Sequence, residues 1–370
     1  MTASGLQADL SALIAVENDF DAVNKAYLER GWTDGLPIVP PTAARVEEML
    51  AYCDVPWNTV VAKVAPRFGE ATPVRIAANA VMAGCRPEYF PVVMHALQAM
   101  AENEFNLYAI QATTHLCAPL VIVNGPIARQ LNINAGTNAF GSGAQANAAM
   151  GRAIRLALVN IGGGLPGLGD MATFGAPSKY SYLVAENEAE TPWDPLHVER
   201  GFAGSTSTVT VIGCECPRNV NDHESVGAKG LLKMIAGTMI STGSNDTFYA
   251  ATPLVVFAPE HARTVAGDGL SKADVRQILF EQARLPLDRF SPEIIEGRLR
   301  KAMRDRCGLN DDTTDVPMVR RPEDIMIAVI GGPGKHSAYF PPFSTTLAIT
   351  RPLLRASGEI ADSIEAFRQH

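Results

Sequence analysis

Ala118-Pro119-Leu120-Val121-Ile122-Val123-Asn124-Gly125-Pro126 and Thr252-Pro253-Leu254-Val255-Val256-Phe257-Ala258-Pro259 are two versions of one pattern. Each is apolar at almost every position, which predicts a short strand buried on both faces rather than one with a wet side. Each ends at a proline, a residue favoured in the first turn of a helix, and each then reaches an Ala-Arg pair, Ala128-Arg129 and Ala262-Arg263. Strand, tight turn and helix in succession is the α/β pattern. A third relative, Ile325-Met326-Ile327-Ala328-Val329-Ile330-Gly331-Gly332-Pro333, stands nearer the C-terminus.

Working outward, the chain reads as a repeat. Thr59–Arg67 can be laid on Thr210–Arg218, and each is followed by a helical stretch, Val74–Ala83 and Val226–Gly237. A repeat found this way decides the fold. The expectation is an α/β protein of two pseudo-repeated lobes, mainly buried strands with helices on both faces, facing each other across one cleft. An N-terminal helical arm covers residues 1–57, with helices around Asp9–Tyr27 and Ala43–Cys53 joined by the stiff turn Asp34–Pro41 and with Thr42 as a cap. The first lobe then spans 58–200, including a Gly-rich segment and a loop, and the second spans 201–370. Further helices are predicted over Ala144–Asn160, from Ser271 to Ala283 and from Ser291 to Arg306. In sheets of this kind ligands gather beyond the carboxyl ends of the strands, near helix N-termini.

Composition narrows the function. With 31 basic and 39 acidic side chains the net charge is −8, so nothing suggests a nucleic-acid binder. An apolar fraction of 47% in 370 residues fits a folded core, and no apolar run approaches the ~20 residues of a membrane span. The N-terminus lacks the basic, apolar pattern of a secretory signal, and six scattered cysteines do not make a disulfide scaffold. A cytoplasmic protein with free thiols is expected. Its partners would be a small-molecule substrate and further copies of itself, with no nucleic acid and no membrane.

Two clusters could carry chemistry. Cys214-Glu215-Cys216-Pro217-Arg218-Asn219-Val220-Asn221-Asp222-His223-Glu224 crowds two thiols, a histidine and carboxylates after a buried strand. A nearby arginine or helix N-terminus would favour the thiolate of Cys214 or Cys216, with His223 or Glu224 as acid/base. The alternative is that these cysteines are small buried hydrophobes. His115 and Cys117 alternate ahead of the strand at 118 and could add an acid/base or, with Cys214, Cys216 and His223, ligands for a soft transition metal. No zinc spacing is present, so the cofactor stays open.

Anion binding has its own candidates. Arg67 and Arg218 fall at matching places in the repeat, and guanidinium forks suit carboxylate or phosphate. Lys335, His336 and Ser337 follow Gly331-Gly332-Pro333-Gly334, but Val329 occupies the place where a Walker A loop has its first glycine. No GxGxxG follows a strand either, so there is no nucleotide-binding fingerprint. Lys179 and Tyr180 belong to a loop placed to wall the cleft.

Trp32–Thr42, Val81–Tyr89 and Gly332–Ser337 together resemble a bacterial family associated with UGSC-type selenoproteins. The sequence departs from it in having no Sec-Gly-Ser-Cys motif or Cys-Gly-Ser-Cys equivalent. The resemblance implies thiol- or redox-linked metabolism of a small molecule. The combined expectation is a lyase or hydrolase that cleaves or hydrates a carbon–heteroatom bond of a small anionic metabolite with a Cys/His site. The alternative is a carrier for a metal or thiol compound, or a redox component serving a partner enzyme.

Overall fold

A computed structural model describes residues 16, 17 and 19–369. In chain order the strands are β1 (Ala62–Val64), β2 (Gly69–Ala71), β3 (Ala118–Asn124), β4 (Leu183–Ala185), β5 (Thr208–Cys214), β6 (Arg218–Asn221), β7 (Leu254–Phe257), β8 (Arg284–Pro286), β9 (Asp315–Pro317), β10 (Met326–Val329), β11 (His336–Phe340) and β12 (Ile349–Pro352). The longer helices are α1 (Phe20–Glu29), α2 (Ala43–Leu50), α3 (Pro73–Met82), α4 (Phe90–Met100), α5 (Gln145–Asn160), α6 (Ala228–Met239), α7 (Pro259–Gly267) and α8 (Lys272–Gln282). The chain is α/β, and among the described residues no helix is long and apolar enough to cross a membrane.

Two four-stranded sheets carry the core, in the orders β12-β5-β3-β4 and β10-β7-β11-β6. Their directions match. β4 runs parallel to β3, which is antiparallel to β5, itself antiparallel to β12; β10, β7, β11 and β6 repeat that series. Side chains alternate between faces along a strand, and here both faces are apolar. Leu120, Ile122, Ile212 and Cys214 point from the first sheet into one cluster with Leu254, Val256, Ala328 and Phe340 of the second. The opposite alternates, Val121, Val123, Val209 and Val211, pack under α3, α4 and α5. Val255, Phe257, Ile327, Val329 and Tyr339 pack under α6, α7 and α8. The layers run helices, sheet, sheet, helices.

The expected strands at 118, 210, 255 and 328 are therefore present and buried, but several expectations need correction. Helices cover one face of each sheet, because the other face is closed by the partner sheet rather than opened as a cleft. The overlay of Thr59–Arg67 on Thr210–Arg218 does not survive. β1 forms a ribbon with β2 alone, with Lys63 exposed, whereas β5 lies inside the first sheet. The pair at 118 and 252 does occupy corresponding places, as β3 and β7.

The boundary expected at residue 200 does not separate the sheets, since the chain changes sheet twice. β5 leaves the first sheet and leads to β6 at the edge of the second, and β11 leaves the second and leads to β12 at the edge of the first. At the crossing the Glu215 N–H donates to Pro341 O and the Phe343 N–H to Gly213 O, both at 2.8 Å.

The arm is tied to the first layer. Asp19 caps α1 and Thr42 caps α2; the part of the expected first helix before residue 16 lies outside the described residues. Arg152 on α5 holds both oxygens of Asp34 at 2.8 Å and also donates to Pro37 O at 2.9 Å, which locks the Asp-Gly-Leu-Pro turn. Small residues let α5 approach β4. A Cβ on Gly151 would come within 2.3 Å of Ser181 Oγ.

Candidate functional site

The antiparallel register of β3 and β5 sets Ala118 opposite Cys214. The segment that leads into β3 and the one that leaves β5 therefore share an end of the sheet, and there His115, three residues before β3, meets Glu215 just after β5. His115 Nε2 lies 2.9 Å from Glu215 Oε1, and the ring stacks on Phe343 with centroids 5.6 Å apart. The His115 N–H donates to Thr113 Oγ1 at 3.0 Å, fixing the approach. Arg218 Nη2 stands 3.6 Å from Glu215 Oε2, and the Tyr182 hydroxyl donates to Glu215 O at 2.8 Å. A carboxylate can only accept, so Nε2 carries the proton, and in the neutral form of the ring Nδ1 is the acceptor. His115 Nδ1 is buried without a partner. This is the arrangement of an oriented base.

Behind Arg218 sits a carboxylate that the sequence did not announce. Asp246 is 3% exposed and accepts from the hydroxyls of Ser244 and Tyr339. Burial pushes its carboxyl up to about 6, against the pull of those hydroxyls and of Arg218, with Glu215 adding to the rise.

On the other side of Cys117 lies a small pocket with about 20 Å³ of free space, room for one water-sized group. Gln111, Cys117, Arg155, Ser178, Lys179 and Tyr182 line it. Lys179 Nζ donates to both oxygens of Asp170 at 2.7 Å, and Arg155 Nη2 donates to one of them at 2.9 Å. Burial pushes Asp170 upward, but its bonds from Lys179 and the Ala172 N–H, with the two cations, hold it below the usual carboxylate range. Lys179 and Glu215 both act on the Cys117 thiol, so the pocket and the His115 pair are electrostatic neighbours.

The thiols are not as expected. Alternation along β5 sends Cys214 into the apolar layer between the sheets, fully buried, where burial pushes its thiol strongly up. Its sulfur reaches the Tyr182 hydroxyl at 3.9 Å. The thiolate expected there is thus disfavoured by the cost of desolvating charge. Burial likewise pushes the Cys117 thiol up to about 12. Cys216 is partly exposed, beyond the strand. Among the described residues no three His, Cys, Asp or Glu side chains are grouped to hold a metal ion, so Cys117, Cys214, Cys216, His115 and His223 do not form the expected ligand set.

The remaining candidates form separate groups. β6 pairs with β11 so that Arg218 faces Tyr339 and Asn221 faces His336, which sets His336 roughly 10 Å along the sheet from Arg218. There His223 and His336 meet edge to face at 5.2 Å, Lys335 Nζ donates to His223 O at 3.0 Å, and the His223 N–H donates to Glu224. Ser337 turns the other way, onto buried His261 at 2.8 Å. Arg67 is exposed and lies along Gly163, while its N–H donates to Gly162 O at 2.9 Å. Tyr180 is exposed beside Lys179. Arg67, Arg218 and Lys335 thus have three different sets of neighbours and do not converge as expected.

Of the expected residues, His115, Arg218, Lys179, Cys117 and Cys214 are brought together. Gln111, Arg155, Asp170, Ser178, Tyr182, Glu215 and Asp246 were missed as site residues. Glu215 had the clearest signal, a carboxylate inside the Cys-Glu-Cys motif. No protein-family model matches the chain, and neither does any curated protein or solved structure, so nothing links it to the UGSC-type group.

Proposed function

We propose that this protein is an enzyme of the lyase or hydrolase type acting on a small anionic metabolite, with His115 as the acid/base and Glu215 behind it. The observation that carries the reading is the His115–Glu215–Arg218 line. Glu215 fixes the imidazole through Nε2 and leaves buried Nδ1 without a partner, two residues before Cys117, which lines a pocket together with Arg155, Lys179 and the Tyr182 that bonds Glu215 O. In the reaction, Nδ1 takes a proton from the substrate carbon or from an attacking water, Glu215 stabilises the imidazolium that forms, and the same proton returns to the leaving group. Such transfers contribute ~10²–10⁴-fold. The thiols have no chemical step in this scheme, because Cys214 is sealed in the apolar layer. All six cysteines are free, which supports a reducing cytoplasm as the setting.

The test is a mass-spectrometric screen of 2- and 3-substituted hydroxy, amino and thio carboxylates for gain or loss of water, ammonia or thiol. Activity on one of them, reduced roughly a hundredfold or more in His115→Gln and retained in Cys214→Ser, is the expected result. Activity that survives His115→Gln and vanishes in Cys214→Ser refutes the reading.

A further inference from the structure

We propose that the pocket lined by Gln111, Arg155, Ser178 and Lys179 is a carboxylate-binding subsite, so that the substrate is a small organic acid. This inference rests on the acid/base reading above and deepens it. Gln111 is 2% exposed and Ser178 8%, yet Gln111 Nε2 and Ser178 Oγ have no hydrogen-bond partner. Buried donors are normally satisfied, and each one left alone is costly. Two such donors lining one pocket point to a ligand that accepts from both.

Charge selects an anion. Arg155 and Lys179 share the single carboxylate of Asp170, which leaves one positive charge in excess in a nearly dry site. Asp170 is already filled by Lys179, Arg155 and the Ala172 N–H, whereas a lysine ammonium has three N–H donors and here gives two. A water could accept from Gln111 and Ser178 but would leave the charge unbalanced. Charge then separates the anions. One excess positive charge matches the single charge of a carboxylate, whereas phosphate near neutral pH and sulfate carry up to two and would leave negative charge uncompensated in a small, largely buried pocket. The rest of the acid would extend from the pocket mouth toward the His115 side, past Cys117.

The test is calorimetric titration of the full chain with acetate, glycolate and inorganic phosphate, alongside thermal melting. Acetate or glycolate should bind saturably, and phosphate should not. Ser178→Ala and Gln111→Leu should each weaken carboxylate binding roughly tenfold or more, with the melting temperature of the free protein unchanged or higher, since each removes an unpaired buried donor. Lys301→Met, at an exposed position on the helix Arg300–Cys307 and outside the pocket lining, should bind as the parent does. Absence of saturable carboxylate binding, equal binding in the two pocket variants, or phosphate binding as tightly as acetate overturns the proposal. His115→Gln should still bind acetate. Loss of pocket binding with His115-dependent turnover intact therefore refutes the subsite alone, whereas intact binding with turnover indifferent to His115 refutes the acid/base reading.

Discussion

Asp246→Asn should stabilise the protein at neutral pH. The carboxyl is 3% exposed, with hydroxyl donors on both oxygens, and burial lifts it from 3.8 to about 6. That rise of about two pH units corresponds to ~3 kcal/mol at 1.36 kcal/mol each. A folded-state value above the unfolded one means that the native state holds the proton more tightly. The associated stability is complete below about pH 4 and is lost as pH climbs through 6. Asparagine keeps an oxygen for Tyr339, and its amide can donate to Ser244 Oγ if that hydroxyl turns. The value of about 6 already includes the pull of both hydroxyls on the charged form, so the gain at pH 7.5 approaches ~3 kcal/mol, less whatever the amide loses in fit to them. Urea denaturation of both proteins from pH 4.5 to 8 reads it. The difference should shrink toward zero at the acid end. If Asp246→Asn is instead less stable at pH 7.5 by 2 kcal/mol or more, Arg218 fully compensates an ionised carboxylate and the argument from burial fails.

Three further outcomes follow from the packing. Mass-resolved alkylation at pH 7 should label partly exposed Cys216 early and sealed Cys214 last, with Cys53 and Cys307, both pushed by burial up to about 11, in between; early labelling of Cys214 would contradict the sheet-to-sheet layer. Gly125→Ala should cost ~3 kcal/mol or more, because its φ is +86° and a Cβ would come within 2.6 Å of Thr206 O; an unchanged melting temperature would refute that close approach. Asp170→Asn leaves Arg155 and Lys179 without their carboxylate and should destabilise by ~3–5 kcal/mol at pH 7. Because Asp170 is held below its ordinary value, the parent should lose that advantage as pH falls through the carboxylate range.

β3, β5, β7 and β10 were legible because each is a largely apolar run, the composition of a strand walled on both sides. β6, β11 and β12, with Arg218, His336 and Arg351, carry no such mark. What walls the apolar strands was not legible. Val121 and Ile122 look alike in sequence, yet one meets helices and the other meets the second sheet. Strand direction and the exchange of β6 and β12 leave no mark either, since backbone pairing is indifferent to which apolar side chain it carries. His115 and Lys179 were visible as isolated titratable residues near strands. Their meaning depends on Glu215, brought to His115 by strand register, and on Asp170, brought to Arg155 and Lys179 by the fold of the Gly-rich segment. Cys214 misled for a related reason: its neighbours in sequence are polar, but alternation turns its own side chain into the core.

The central claim is that His115, held by Glu215, moves a proton on a small carboxylate. Deuterium exchange measures this without knowledge of the full reaction. Substituted carboxylates are incubated with the protein in heavy water, and loss of the proton next to the carboxyl group is followed by NMR. The parent protein and Cys214→Ser should exchange at least one acid, and His115→Gln should do so roughly a hundredfold or more slowly. Exchange that proceeds at the parent rate in His115→Gln, or no exchange with an acid from which the protein removes water, ammonia or thiol, contradicts that claim.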